Sequence, residues 1–132
     1  MLKTRSYGYT FDQLKPVISG NDLIALQQEV EKVSVDDALL EYILKILQAT
    51  RNRPQVRLGA SPRAGLGLKQ AAKALAFLQG RDYLVPDDIK KICQSVLRHR
   101  LILKQDIFEA EKRNLQAELI ISEILDSIPL PI

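Results

Sequence analysis

Apolar residues recur at helical spacing in successive stretches of this chain, and prolines stand between those stretches or at their first position. Pro16, Pro54, Pro62, Pro86, Pro129 and Pro131 all occupy places that helices tolerate. That pattern leaves little room for a sheet. Six Gly and six Pro in 132 residues are too few for a loop-rich all-β chain, and aromatics are 5% with no Trp. The expectation is an all-α bundle of four or five helices in one domain, preceded by an extended N-terminal arm. At most a tiny strand is expected near Val56–Leu58 or Leu101–Leu103.

Residues 1–18 are polar and aperiodic, with Tyr7, Gly8, Tyr9 and Phe11 scattered through them, and read as a linker or arm. The helical domain covers 19–132. Ser19 and Asp22 form an S-x-x-D start signal ahead of Leu23, Leu26, Val30 and Val33, so a first helix runs from about Asn21 to Lys32. Ser34 and Asp37 repeat the signal for a longer helix, from about Asp36 to Arg51. Its wide arc of Leu39, Leu40, Ile43, Leu44, Ile46 and Leu47 predicts a central place. Ser61-Pro62 is a hydroxyl cap followed by a first-position Pro. The third helix then runs to about Gln79 with an apolar face of Leu68, Ala71, Ala72, Leu75 and Leu78, and Gly80 closes it in the left-handed conformation. Pro86, Asp87 and Asp88 open a fourth helix, striped by Ile89, Ile92, Cys93, Val96 and Leu97 and ended by Arg98, His99 and Arg100. A last helix spans about Asn114 to Ser127 with Leu115, Leu119, Ile124 and Leu125, and prolines keep the tail extended.

Several chemistries are excluded. Cys93 is the only Cys, so no internal disulfide forms, and its place on an apolar stripe makes it a small core residue. One His rules out a zinc site of His and Cys, and no metal site is expected. No glycine precedes the Gly-Lys-Ser/Thr of a P-loop, and Gly65-Leu66-Gly67-Leu68-Lys69 lies inside a helix. The start lacks the apolar core of a secretory signal and no run reaches the ~18 apolar residues of a membrane span, so a cytoplasmic protein is expected. The net charge of +3 hides an asymmetry. Lys45 to Lys104 holds thirteen Lys or Arg and three Asp, while the flanks hold six basic and thirteen acidic residues. Such a middle either meets an anion or forms solvated helix faces.

The informative stretch is Leu58-Gly59-Ala60-Ser61-Pro62-Arg63-Ala64. Glycine permits a tight entry, Ser-Pro starts the helix, and Arg63 falls in its first turn. First-turn amides and a guanidinium together make an anion receptor. The alternative is a surface arginine beside a cap. Arg51 and Arg53 border the same loop, in packing, at an interface or as secondary anion contacts. Arg81 and Asp82 make either a structural salt bridge or helix-end contact, or a subunit contact. His99 sits at the end of the fourth helix, where a core or cap-like role is expected rather than proton transfer.

The run ATR at Ala49–Arg51, then LGASPRA, AAKALAFLQGRDYLVPDDI and VLRHRL, resembles the C-terminal lid of MoxR-type AAA+ ATPases. The similarity covers about Val17 to Ile132, including the ending IPLP. It implies a helical lid in which Arg63 is the sensor 2 residue that reaches the terminal phosphate of ATP, with Ser61 and Pro62 beside it. It implies that the P-loop core precedes Met1, so that this chain alone binds no cofactor and hydrolyses no ATP, while the full-length enzyme uses ATP and Mg. The implied partners are the AAA+ core, neighbouring subunits of a hexamer, and client proteins with von Willebrand A domains. Arg51, Arg53, Arg81, Asp82 and Arg100 are the interface candidates. The competing reading is a stand-alone basic helical module that binds nucleic acid. Its basic residues are spread over several helices and few aromatics are present to stack bases, which disfavours it.

Overall fold

Capping chemistry decides where the helices of this computed structural model begin. It describes residues 14–104 and 110–131. Among them are five α-helices and two short strands: α1 (Gly20–Glu31), α2 (Asp37–Arg51), β1 (Val56–Leu58), α3 (Pro62–Leu78), α4 (Pro86–Leu97), a 3-10 turn (Arg98–Arg100), β2 (Ile102–Leu103) and α5 (Ala110–Ser127). The helical bundle read from the sequence is the observed class. Residues 1–13 of the expected arm lie outside the described residues, and residues 14–18 are exposed and not helical.

Ser19 and Asp22 close a reciprocal capping box at α1, the Asp22 amide donating to the Ser19 hydroxyl and the Ser19 amide to the Asp22 carboxylate. Ser34 does not cap α2. Asp36 does, accepting from the Ala38 amide. The Ser34 backbone instead bridges to the loop after α3, its amide donating to the Asp82 carbonyl and its carbonyl accepting from the Leu84 amide. Gly80 ends α3 at φ +75°, with the Arg81 amide donating to the Ala76 carbonyl and the Gly80 amide to the Phe77 carbonyl, a full Schellman closure.

α2, α3, α4 and α5 share one core, in which Tyr42, Ile46, Leu68, Ile89, Leu97, Ile121 and Ile124 are fully buried. α3 packs most extensively on α4, and α1 lies outside against α3. Both candidate strand segments are strands. They pair antiparallel, Val56 opposite Leu103 and Leu58 opposite Ile102, tying the loop after α2 to the segment after α4. Cys93 is buried, and burial pushes its thiol up to about 12, as suits an inert core residue.

Four apolar faces differ from expectation, and one is that of α2, whose Leu44 lies mostly exposed. On α3 the buried stripe is Ala64, Gly65, Leu68, Ala72 and Ala76, while Leu78 is 80% exposed. Small residues let α3 approach its neighbours, and a Cβ on Gly65 would come within 2.6 Å of the Leu47 side chain. α5 begins at Ala110 rather than Asn114, and buries Ala117, Ile120, Ile121, Ile124 and Leu125 with Leu115 and Leu119 outward. On α1 only Val30 is buried, and Leu23 and Leu26 face out.

Candidate functional site

The loop from Asn52 to Ser61 returns the chain from the end of α2 to the start of α3, and two adjacent α2 residues hold its last turn. The Thr50 hydroxyl donates to the Leu47 carbonyl at 2.6 Å and accepts from the Ala60 amide at 2.9 Å. The Arg51 guanidinium donates to the Ala60 carbonyl through Nε at 3.2 Å and Nη2 at 3.0 Å. Thr50 and Ala60 are both completely buried, so these bonds satisfy backbone groups that water cannot reach. Gly59 lies against α2 itself: a Cβ there would meet the Arg51 amide nitrogen at 2.8 Å and its Cα at 2.9 Å. Only glycine fits such a close approach.

Ser61 then caps α3, its hydroxyl accepting from the Ala64 amide, with Pro62 at the first helical position. The Ala64 and Gly65 amides also donate to the Ser61 carbonyl. Pro62 has no N–H. The first-turn amide left without a partner among the described residues is that of Arg63. The donors left at this helix start are therefore one amide and the Arg63 guanidinium, fewer than the several amides expected. Arg63 is exposed in the second helical position, and among the described residues its side chain makes no hydrogen bond or ion pair. The first turn of α3 contains no acid. Beside it runs an apolar groove of about 390 Å³ between α2 and α3, lined by Leu40, Leu44, Leu47, Pro62 and Leu66 among others. Leu44 and Leu66 stand mostly exposed on its rim.

The other singled-out arginines have partners. Arg53 pairs with Glu123 of α5 at 3.3 Å. Arg81 does not pair with its neighbour Asp82. It forks onto the fully buried Asp88 at 2.8 and 2.6 Å and also reaches the Gln79 side chain and the Tyr83 carbonyl. Burial opposes the Asp88 charge, but the Arg81 hydrogen bonds and the Val85 amide outweigh it and hold the carboxyl below its usual value. Asp82 is exposed and works through its carbonyl, which accepts from Ser34. Arg100 is exposed at the end of the 3-10 turn and lies near Gly67 of α3, one turn beyond Arg63. His99 is exposed beside it. The clamp made by Thr50 and Arg51 was not legible in the sequence. Its signal is a Thr-Arg pair at a helix end with a glycine eight residues after the arginine.

No three His, Cys, Asp or Glu side chains cluster among the described residues in a way that would hold a metal. No helix of the described residues is long and apolar enough to cross a membrane.

The AAA lid domain family matches residues 48–124. YeaC of Bacillus subtilis, itself uncharacterized, is 41% identical over 132 residues, all of this chain and 40% of that protein. The chaperone MoxR1 of Mycobacterium tuberculosis is 38% identical over 133 residues, 94% of this chain and 34% of the relative. The crystal structure of a candidate ATPase from Cytophaga hutchinsonii superposes with a TM-score of 0.77 at 31% identity, over 98% of this chain and 40% of that one. The chain thus spans two fifths or less of the length of these relatives.

Proposed function

Because the chain belongs to the AAA lid domain family and is the lid of a MoxR-type AAA+ ATPase, we propose that Arg63 is its sensor 2 arginine, presented to the terminal phosphate of ATP bound by the ATPase core. The observation that carries this reading is the state of Arg63: exposed, without a partner among the described residues, in a helix start that lacks an acid. A guanidinium there strengthens its contact as phosphate charge shifts during transfer, which lowers the barrier to hydrolysis. Ser61 and Pro62 contribute by shaping the helix start, since the Ser61 hydroxyl already caps it.

ATP and Mg belong to the full-length enzyme. Membership of the family assigns the Mg ligands to the core. The apolar groove beside Arg63 supports a lid that packs on its own core or on a neighbouring subunit of a hexamer, because exposed apolar surface marks docking. Of the interface candidates, Arg100 and Asp82 keep side chains without a partner among the described residues and are the ones proposed to face a neighbour. Arg51, Arg53 and Arg81 act within the chain. Chaperone action on von Willebrand A domain clients, in the cytoplasm, completes the proposal and rests on membership of the family.

The test is ATP turnover by the assembled ATPase carrying Arg63→Ala. Loss of one such electrostatic contact lowers the rate ~100–1000-fold, and Arg63→Lys recovers part of it, because an ammonium cannot make the forked contact. Normal turnover by the alanine variant would falsify the assignment. A mobility shift with duplex DNA that weakens steeply with salt would favour the nucleic-acid reading instead.

A further inference from the structure

We propose that Arg51, with Thr50 beside it, is a positioning residue that sets the aim of Arg63 by clamping Ala60. The proposal rests on the sensor reading of Arg63. Both backbone polar groups of Ala60 are taken by the end of α2: its amide by the Thr50 hydroxyl, its carbonyl by two nitrogens of Arg51. The Thr50 hydroxyl is itself oriented, since its proton goes to the Leu47 carbonyl. Backbone meets backbone at Gly59, so the loop cannot slide along α2.

Two residues, Ser61 and Pro62, separate the clamped Ala60 from Arg63, and neither adds slack. Ser61 is fixed by its capping bonds, and the Pro62 ring fixes its own φ. The position of the Arg63 Cα is therefore set from α2, a different helix from the one that carries it. A phosphate contact that strengthens during transfer depends on placement to a fraction of an ångström. Arg51 acts on turnover through Ala60, not by touching nucleotide, because Nε and Nη2 are both directed at the Ala60 carbonyl.

Arg51→Met keeps the methylenes that cover Gly59 and removes the guanidinium. Arg51 is exposed, so the variant leaves no buried cavity. In the assembled ATPase it lowers kcat on the order of ten- to a hundred-fold, the effect of misplacing a catalytic group by about an ångström, with KM for ATP unchanged. The decisive measurement is a double-mutant cycle. In an Arg63→Ala background, Arg51→Met produces no further loss of kcat, because nothing remains to be aimed. A purely structural role would multiply the two losses. Multiplied losses, an unchanged kcat for Arg51→Met alone, or a raised KM overturn the proposal while leaving the sensor reading intact. Normal turnover by Arg63→Ala alone overturns both.

Discussion

α3 and α4 start alike and end their first turns differently. Each begins with a residue-proline step, Ser61-Pro62 and Val85-Pro86. α4 places Asp87 and Asp88 in its first turn, where carboxylates complement the positive end of the helix dipole. Asp88 accepts from the Val85 amide at 3.0 Å and from the fork of Arg81. α3 places no acid there and puts Arg63 where a cation weakens a helix. One start is closed by its own charges and serves stability. The other is left positive at some cost to stability and has its backbone braced from α2 instead. An arginine committed to a buried acid and an arginine with no partner among the described residues, 18 positions apart in one chain, mark those two roles.

The largest effect that sharpens this contrast comes from Arg81→Ala. It strands Asp88, which is completely buried, and removing one partner of such a pair costs about 3 kcal/mol. Urea unfolding of the 132-residue chain measures it. The loss depends on pH. The folded Asp88 carboxyl titrates below its ordinary value, so its contribution is present above about pH 4, the unfolded range, and is lost as pH falls through the depressed value. The gap between wild type and variant therefore narrows in acid, and a gap that widened would contradict the pairing. Gly59→Ala comes next, at about 2 kcal/mol, because the new methyl collides with backbone atoms of Arg51 and not only with a flexible side chain. Thermal melting reads it out. Arg63→Ala is the smallest, within about 0.5 kcal/mol and in the stabilising direction, since it removes a positive charge from a positive helix end. A clear destabilisation would mean that Arg63 is part of the structure.

Signals confined to one turn were legible in the sequence. The Ser19–Asp22 box, the Ser61-Pro62 start and the Gly80 stop depend on residues within four positions of one another, and all three stand as read. Ser34 failed because its backbone meets Asp82 and Leu84, nearly fifty residues on, leaving Asp36 to cap. Leu78, Leu115 and Leu119 were misplaced for a different reason. On α3, where Ala64, Gly65, Ala72 and Ala76 bring helices close, small residues carry the packing and Leu78 turns outward; on α5, Ile120, Ile121 and Ile124 fill the core and leave Leu115 and Leu119 outside. The charge asymmetry also has an internal part. Lys73 reaches Glu31 of α1, and Arg53 and Arg98 reach Glu123 and Glu118 of α5, so basic middle and acidic flanks meet inside the fold. At the candidate site, the place of Arg63 was readable, and the brace from Arg51 was not, because it exists only once the loop has closed.

The contrast between the two arginines is tested most directly by measuring ATP turnover and melting temperature together, on the assembled ATPase carrying Arg63→Ala or Arg81→Ala. The account predicts opposite signatures. Arg63→Ala melts like the wild type and turns over ATP ~100–1000-fold more slowly, whereas Arg81→Ala melts earlier and, below its melting range, keeps near-normal turnover. If Arg63→Ala turned over ATP normally, or if its melting fell as far as that of Arg81→Ala, the division between a braced, functional helix start and a closed, structural one would be wrong.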